Sequence, residues 1–208
     1  MADLFDSAGE APKGAPPRPL ADRLRPRSLS EVIGQDKVLG PEAPLGVMLA
    51  SGSLGSLILW GPPGVGKTTI ARLLAAETDL HFVQISAIFT GVPELRRVFE
   101  EARHRRGNGQ GTLLFVDEIH RFNKAQQDVL LGDVERGVIT LIGATTENPF
   151  FAVNSALVSR SQVFQFQPIP DAEIIALLRR AIADEQRGYG QLPIDITDDA
   201  LQHWATAC

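Results

Sequence analysis

Two stretches of this chain, Leu57-Ile58-Leu59-Trp60 and Leu113-Leu114-Phe115-Val116, are apolar at every position. A strand with one face in water alternates polar and apolar residues. A strand with no polar face must be covered on both sides, the situation of a central parallel strand between two helical layers. Further short β-like runs lie at 81–85, 139–143 and 162–166, with 56–60 and 112–116 framing the two apolar stretches. Helical patterns at 68–78, 93–106 and 124–131 alternate with them, and this alternation predicts an α/β fold with a mostly parallel sheet flanked by helices.

Between the first such strand and helix stands Gly61-Pro62-Pro63-Gly64-Val65-Gly66-Lys67-Thr68, followed by Thr69. It fits the phosphate-loop pattern G-x-x-x-x-G-K-[ST] in the required strand-to-helix context. The glycines allow backbone N–H groups to turn toward phosphates, and the helix N-terminus adds its positive end. Lys67 is expected to reach the β- and γ-phosphates of ATP, and Thr68 to ligate Mg²⁺. The second apolar strand delivers Asp117 and Glu118 at its C-terminal end, where α/β sheets build their sites. Asp117 is the second expected Mg²⁺ ligand. Glu118 is the expected base for the attacking water, and a second acid there favours hydrolysis over small-molecule phosphorylation. A third strand ends in Thr145-Thr146, and Thr146 is chosen over Thr145 as the group that bridges γ-phosphate and water.

Residues 1–19 are rich in Ala, Gly and Pro, a composition unable to bury enough apolar surface to fold, so a disordered tail is expected there. The α/β domain is assigned to 20–168. After Pro168 the strands stop; Asp171 can cap a helix running to about Arg187, and Thr197 another starting at Asp198. Residues 169–208 are accordingly expected to form part of a helical domain in which the chain stops. The 208 residues contain no apolar run near the ~20 that a membrane helix needs. The acidic N-terminus lacks a secretory signal, and the single cysteine, Cys208, suits a reducing compartment; a cytoplasmic location is expected. A net charge of −5 means that any nucleic-acid contact has to come from a local patch. Arg96, Arg97, Arg103, Arg105 and Arg106 supply one cluster, readable as a solvated helix face or as phosphate contacts.

Taken together, these motifs resemble AAA+ ATPases, and more narrowly the clamp-loader relatives. Leu24-Arg25-Pro26 and Ile33-Gly34-Gln35 resemble the segment that lines the adenine pocket in that family, which places Ile33 at the base. Asp117-Glu-Ile-His120-Arg-Phe-Asn-Lys124, Gly143-Ala-Thr-Thr-Glu-Asn-Pro149 and Asn154-Ser-Ala-Leu-Val-Ser-Arg160 are similar to the replication-associated recombination protein A family, the bacterial counterpart of the Werner-helicase-interacting ATPase. The resemblance implies a P-loop AAA+ sheet followed by a partial helical lid, and a DNA-dependent, nucleoid-associated ATPase in fork maintenance, recombination and repair. It further implies homo-oligomers in which Arg160 serves the neighbouring subunit's ATP as an arginine finger. A RuvB-like branch-migration motor is the alternative within the class. A nucleotide-switched scaffold for a sliding clamp or single-strand-binding protein is the alternative outside it. His120 is left open between coupling to a partner and a structural role. The family's sensor-2 arginine and C-terminal oligomerisation domain have no counterpart before Cys208, so the sequence reads as a fragment. Met1-Ala-Asp-Leu4-Phe5 resembles short clamp-binding peptides, with Leu4 and Phe5 as anchors.

Overall fold

The computed structural model describes residues 18–40, 42–52 and 54–207. Leu4, Phe5 and most of the expected tail lie outside these residues. Five strands form one sheet in the order β2-β3-β4-β1-β5: β1 (Leu57–Trp60), β2 (His81–Ser86), β3 (Thr112–Asp117), β4 (Ile139–Thr145) and β5 (Gln162–Gln165). Every pairing is parallel. The chain continues through helices α1 (Leu20–Arg23), α2 (Asp36–Leu39), α3 (Pro44–Ala50), α4 (Lys67–Ala76), α5 (Val92–Gly107) and α6 (Lys124–Glu135). After these come α7 (Pro149–Ala152), α8 (Ser155–Ser159), α9 (Asp171–Ala183) and α10 (Asp198–Ala207). By their internal contacts the residues fall into two compact units. One is Pro26–Ile174; the other begins at Ile175 and includes the segment ending at Arg25.

In the larger unit the sheet divides the core into two layers, as period-two geometry requires. Ile58, Leu114, Val116, Ile139 and Leu141 face one layer, with Leu95, Phe99 and Ala102 of α5 and Leu130 of α6. Leu57, Leu59, Leu113, Phe115, Ile142 and Ala144 face the other, with Ile70, Ala71 and Leu74 of α4. Each fully buried Leu, Ile or Phe contributes about 1.5–3 kcal/mol relative to exposure.

The loops at the strand C-termini are fixed by local chemistry. α6 starts with a capping box: the Asn123 side chain accepts from the Gln126 N–H at 3.0 Å, and the Asn123 N–H donates to Gln126 Oε1 at 2.9 Å. The Gln126 amide also donates to the Thr90 carbonyl at 2.9 Å, joining the loop after β2 to the loop after β3. α5 and α6 are clamped by buried Asp133, which accepts from Arg103 at 2.8 and 3.0 Å and from Arg136 at 2.9 Å.

In the smaller unit, the Arg23 guanidinium lies 5.7 Å from the Tyr189 ring centroid, and Arg179 pairs with Asp198. The expected helix to Arg187 stops at Ala183 instead. Asp184 Oδ1 accepts from the N–H groups of Gln186 and Arg187, giving the backbone a local alternative to another helical turn. Among the described residues, no helix is long and apolar enough to cross a membrane.

Phe115 is fully buried on the central strand and stacks on Phe82, with centroids 6.3 Å apart. Phe115→Ala should cost about 3–5 kcal/mol in urea denaturation, through lost burial and a cavity that cannot collapse between two layers. A loss under ~1 kcal/mol would mean that this layer is not packed as described.

Candidate active site

β1 pairs with β4 on one side, Trp60 opposite Thr145, and β4 pairs with β3 on the other, Val116 opposite Gly143. Three strand ends therefore meet at one edge. They bring the phosphate loop, Thr145-Thr146 and Asp117-Glu118 together.

The loop holds its shape through backbone constraints. Gly61 lies so close to β5 that a Cβ there would stand 2.6 Å from the Phe166 carbonyl oxygen. Gly66, at φ +92°, caps α4 in a conformation that side-chain-bearing residues rarely adopt. Val65 is buried in the core beside Ile70, while Pro62, Pro63 and Gly64 face solvent. α4 opens one residue before the expected start, at Lys67, with Thr68 and Thr69 half-buried in its first turn. The Lys67 ammonium donates to the carbonyls of Gly61 and Pro62, both at 2.7 Å. Burial holds it below its ordinary pKa of 10.5, against the raising pull of Glu118 and Asp117.

Asp117 ends β3, and burial, reinforced by the like charge of Glu118, raises its pKa above the ordinary 3.8. The backbone N–H of Glu118 and the charge of Lys67 oppose this but do not cancel it. Glu118 itself has φ 54° and ψ 47°, and among the described residues no other non-glycine has positive φ. A left-handed backbone of this kind costs about 1–2 kcal/mol. Such strain is found where surrounding structure over-determines a functional residue.

The two threonines after β4 differ in aim. Thr146 Oγ1 donates to Glu118 Oε2 at 3.3 Å. Thr145 is fully buried, donates to the Glu147 carbonyl and accepts from the Glu147 N–H, each at 3.0 Å, and also meets His120 Nδ1 at 3.0 Å. His120, with a side chain 4% exposed, faces Glu118 Oε2 at 3.2 Å through Nδ1 and Glu147 Oε1 at 3.4 Å through Nε2. Thr145 and Glu147 enter the site only through this geometry. The run Asp117-Glu-Ile-His120 was the one signal in the sequence that could have found this network.

Arg160 and Ile33 are not gathered into this cluster. Arg160 caps α8 and pairs with Glu135 at the end of α6, 2.6 Å away, both side chains over 40% exposed. Ile33 is half-buried on the segment before α2, where buried Gln35 donates to the Gln167 carbonyl at 2.9 Å. Of the arginine cluster, Arg103, Arg105 and Arg106 are engaged with Asp133, Glu101 and the Arg136 carbonyl. Arg96 and Arg97 remain exposed on α5.

The profile of the ATPase family associated with various cellular activities (AAA) matches residues 57–169. The chain is 48% identical over 181 residues to replication-associated recombination protein A of Coxiella burnetii, covering 86% of this chain and 40% of that protein. To the protein of the same name in Escherichia coli K12 it is 47% identical over 182 residues, 88% of this chain and 41% of the relative. It thus spans about two fifths of the length of these relatives. The solved structure of the Thermotoga maritima RuvB Holliday junction branch migration motor is similar with a TM-score of 0.67 and 29% identity, over 88% of this chain and 59% of that one.

The raised pKa of Asp117 has a stability consequence. Below pH 3.8 the group is protonated whether folded or unfolded and carries no penalty. As pH rises from there through the higher folded value, the folded state holds the extra proton, stability falls, and above that value the whole penalty remains. Asp117→Asn should therefore raise the melting temperature of the nucleotide-free chain at pH 7, and the gain should shrink as pH is lowered toward 4. An Asn chain that melts lower than the parent at pH 7 would contradict the destabilisation assigned to burial and the like charge of Glu118.

Proposed function

This chain belongs to the AAA family of ATPases and, within it, to the replication-associated recombination protein A family, and from that membership we propose that it is the ATP-hydrolysing part of a DNA-dependent ATPase in replication-fork maintenance, recombination and repair. One observation carries the chemistry: a preformed phosphate loop with a buried lysine stands against a strained, hydrogen-bonded glutamate on the neighbouring strand ends.

Phosphates of ATP would lie along the N–H groups of Gly61 to Thr69, with the Lys67 ammonium transferred from the loop carbonyls to the β- and γ-phosphates. A hydroxyl on Thr68 and a carboxylate on Asp117, beside a phosphate cradle, are hard oxygen donors that would hold Mg²⁺. When bound, that ion supplies charge neutralisation at the transferring phosphoryl group. Glu118 takes a proton from the attacking water, and Thr146 holds the carboxylate that does so. Ile33 belongs to the adenine side.

Arg160 suits service in a neighbouring subunit. Its pairing with Glu135 is solvent-exposed and so contributes only ~0–1 kcal/mol, and its bonds to the Ala156 carbonyl and the hydroxyl of Ser159 are exposed as well, contacts that a phosphate could replace. The short helix that presents it is pinned to α6, since Asn154 accepts from the Ala156 N–H and donates to Asp128. The partners that fit this reading are DNA, as single-stranded gaps or duplex ends, further copies of the chain, a sliding clamp through Leu4 and Phe5, and single-strand-binding protein. A branch-migration motor is the second reading, favoured by the TM-score of 0.67. The higher identity to the recombination proteins, 48% against 29%, supports the first.

Turnover measured without DNA and with single-stranded, gapped and blunt duplex DNA tests the function: stimulation by DNA is expected, and a rate indifferent to all of them removes DNA dependence. Lys67→Ala should lose tight Mg·ATP binding, whereas Glu118→Gln should bind normally and not turn over. Parent-rate hydrolysis by Glu118→Gln would remove its role as base. Arg160→Ala should keep ATP affinity and lose ~10³-fold or more in turnover. Mixed with Lys67→Ala chains, it should regain activity where an intact pocket meets an intact finger. Co-assembled mixtures that stay inactive would make Arg160 a structural residue.

A further inference from the structure

The contacts of His120 assign its proton. The Thr145 hydroxyl has one hydrogen, which it gives to the Glu147 carbonyl at 3.0 Å while accepting from the Glu147 N–H. Toward His120 it can then only accept, so Nδ1 carries a hydrogen. That hydrogen is donated to Thr145 Oγ1 at 3.0 Å, and the same Nδ1 edge stands 3.2 Å from Glu118 Oε2, a close contact of positive edge and carboxylate. Thr146 donates to the same carboxylate oxygen at 3.3 Å. The hydroxyl of Thr146 and the Nδ1 edge of His120 both meet Oε2, and Oε1 is left to other business. The ring's far side, Nε2, faces Glu147, whose side chain is 59% exposed at the rim.

We infer that His120 is a positioning residue for Glu118: its Nδ1–H edge, held by Thr145 and standing 3.2 Å from Oε2, together with the hydroxyl of Thr146 fixes that oxygen and leaves Oε1 for the attacking water. The inference rests on the assignment of Glu118 as the base. Its physical basis is the side chain's freedom. A glutamate on a strained turn has several rotamers open to it, and only contact with a rigid neighbour selects one. An imidazole buried at 4% exposure on the 3₁₀ turn Ile119–Arg121 is such a neighbour. Orienting partners of this kind are typically worth 10–100-fold in activity when removed.

The two ring nitrogens can be separated experimentally, because an asparagine amide stands close to where Nδ1 is and a glutamine amide close to where Nε2 is. His120→Ala and His120→Gln should lower kcat by about 10–100-fold with KM for ATP little changed, and His120→Asn should recover most of the loss. Equal loss in all three, or a loss confined to KM, would overturn the inference. So would full turnover in His120→Ala. Glu118→Gln distinguishes the failures: if it hydrolyses ATP at the parent rate, the base assignment is wrong. If it is inactive while His120→Ala is not, only the positioning role falls. A readout independent of turnover is nitrogen-15 NMR of the four histidines, with His120 assigned by its loss in His120→Asn. The expected signal is a protonated Nδ1 that shifts in Glu118→Ala while the other three histidines do not. An unprotonated Nδ1, or a resonance indifferent to Glu118→Ala, would also overturn the inference.

Discussion

The site depends on the parallel ladder between β1 and β4. Their register sets Trp60 beside Thr145, and the Gly61 N–H extends the ladder one step beyond β1 by donating to the Thr145 carbonyl at 3.2 Å. A slip of one residue would turn every inward side chain of β1 toward the wrong layer. It would also carry the phosphate loop away from Thr145-Thr146. The two-layer core fixes that register, because Leu57 and Leu59 belong to one layer and Ile58 to the other. Packing energy in the sheet is in this way converted into ångström-level placement at its edge.

Around that edge the chain gathers charges that do not suit one another in the absence of ligand. Asp117 and Glu118 are adjacent carboxylates, one half-buried at the strand end and the other strained. Lys67 is near enough to be felt by both, yet its hydrogen bonds go to backbone carbonyls. A fold selected for stability alone would neutralise this arrangement; the proposed binding of a polyanion with a cation would account for its being kept.

The sequence made the sheet legible because short apolar runs, uninterrupted in β1 and most of β3, alternate with helical patterns: all five strands fall within two residues of the expected bounds. The phosphate loop was legible because its chemistry depends on spacing along the chain. Elements whose cause lies elsewhere in space were not legible. α3 carries no side-chain cap and shows one buried residue, Leu45, so no pattern announces it. The early end of α9 depends on where one Asp184 oxygen points. His120 meets Glu147 across 27 positions, and Arg160 meets Glu135 across 25; neither pairing has a periodicity to read.

The resting place of Lys67 bears on release as much as on capture. With two 2.7 Å bonds to Gly61 and Pro62 already made, nucleotide binding as proposed would be an exchange of acceptors, and the affinity gained only the difference between phosphate and carbonyl. A ligand without phosphate oxygens in reach of that ammonium offers no reason for the exchange. Once the terminal phosphate has been cut, the same two carbonyls stand ready to take the cation back. On the proposed function, the cation would then have a place to return to within the loop itself.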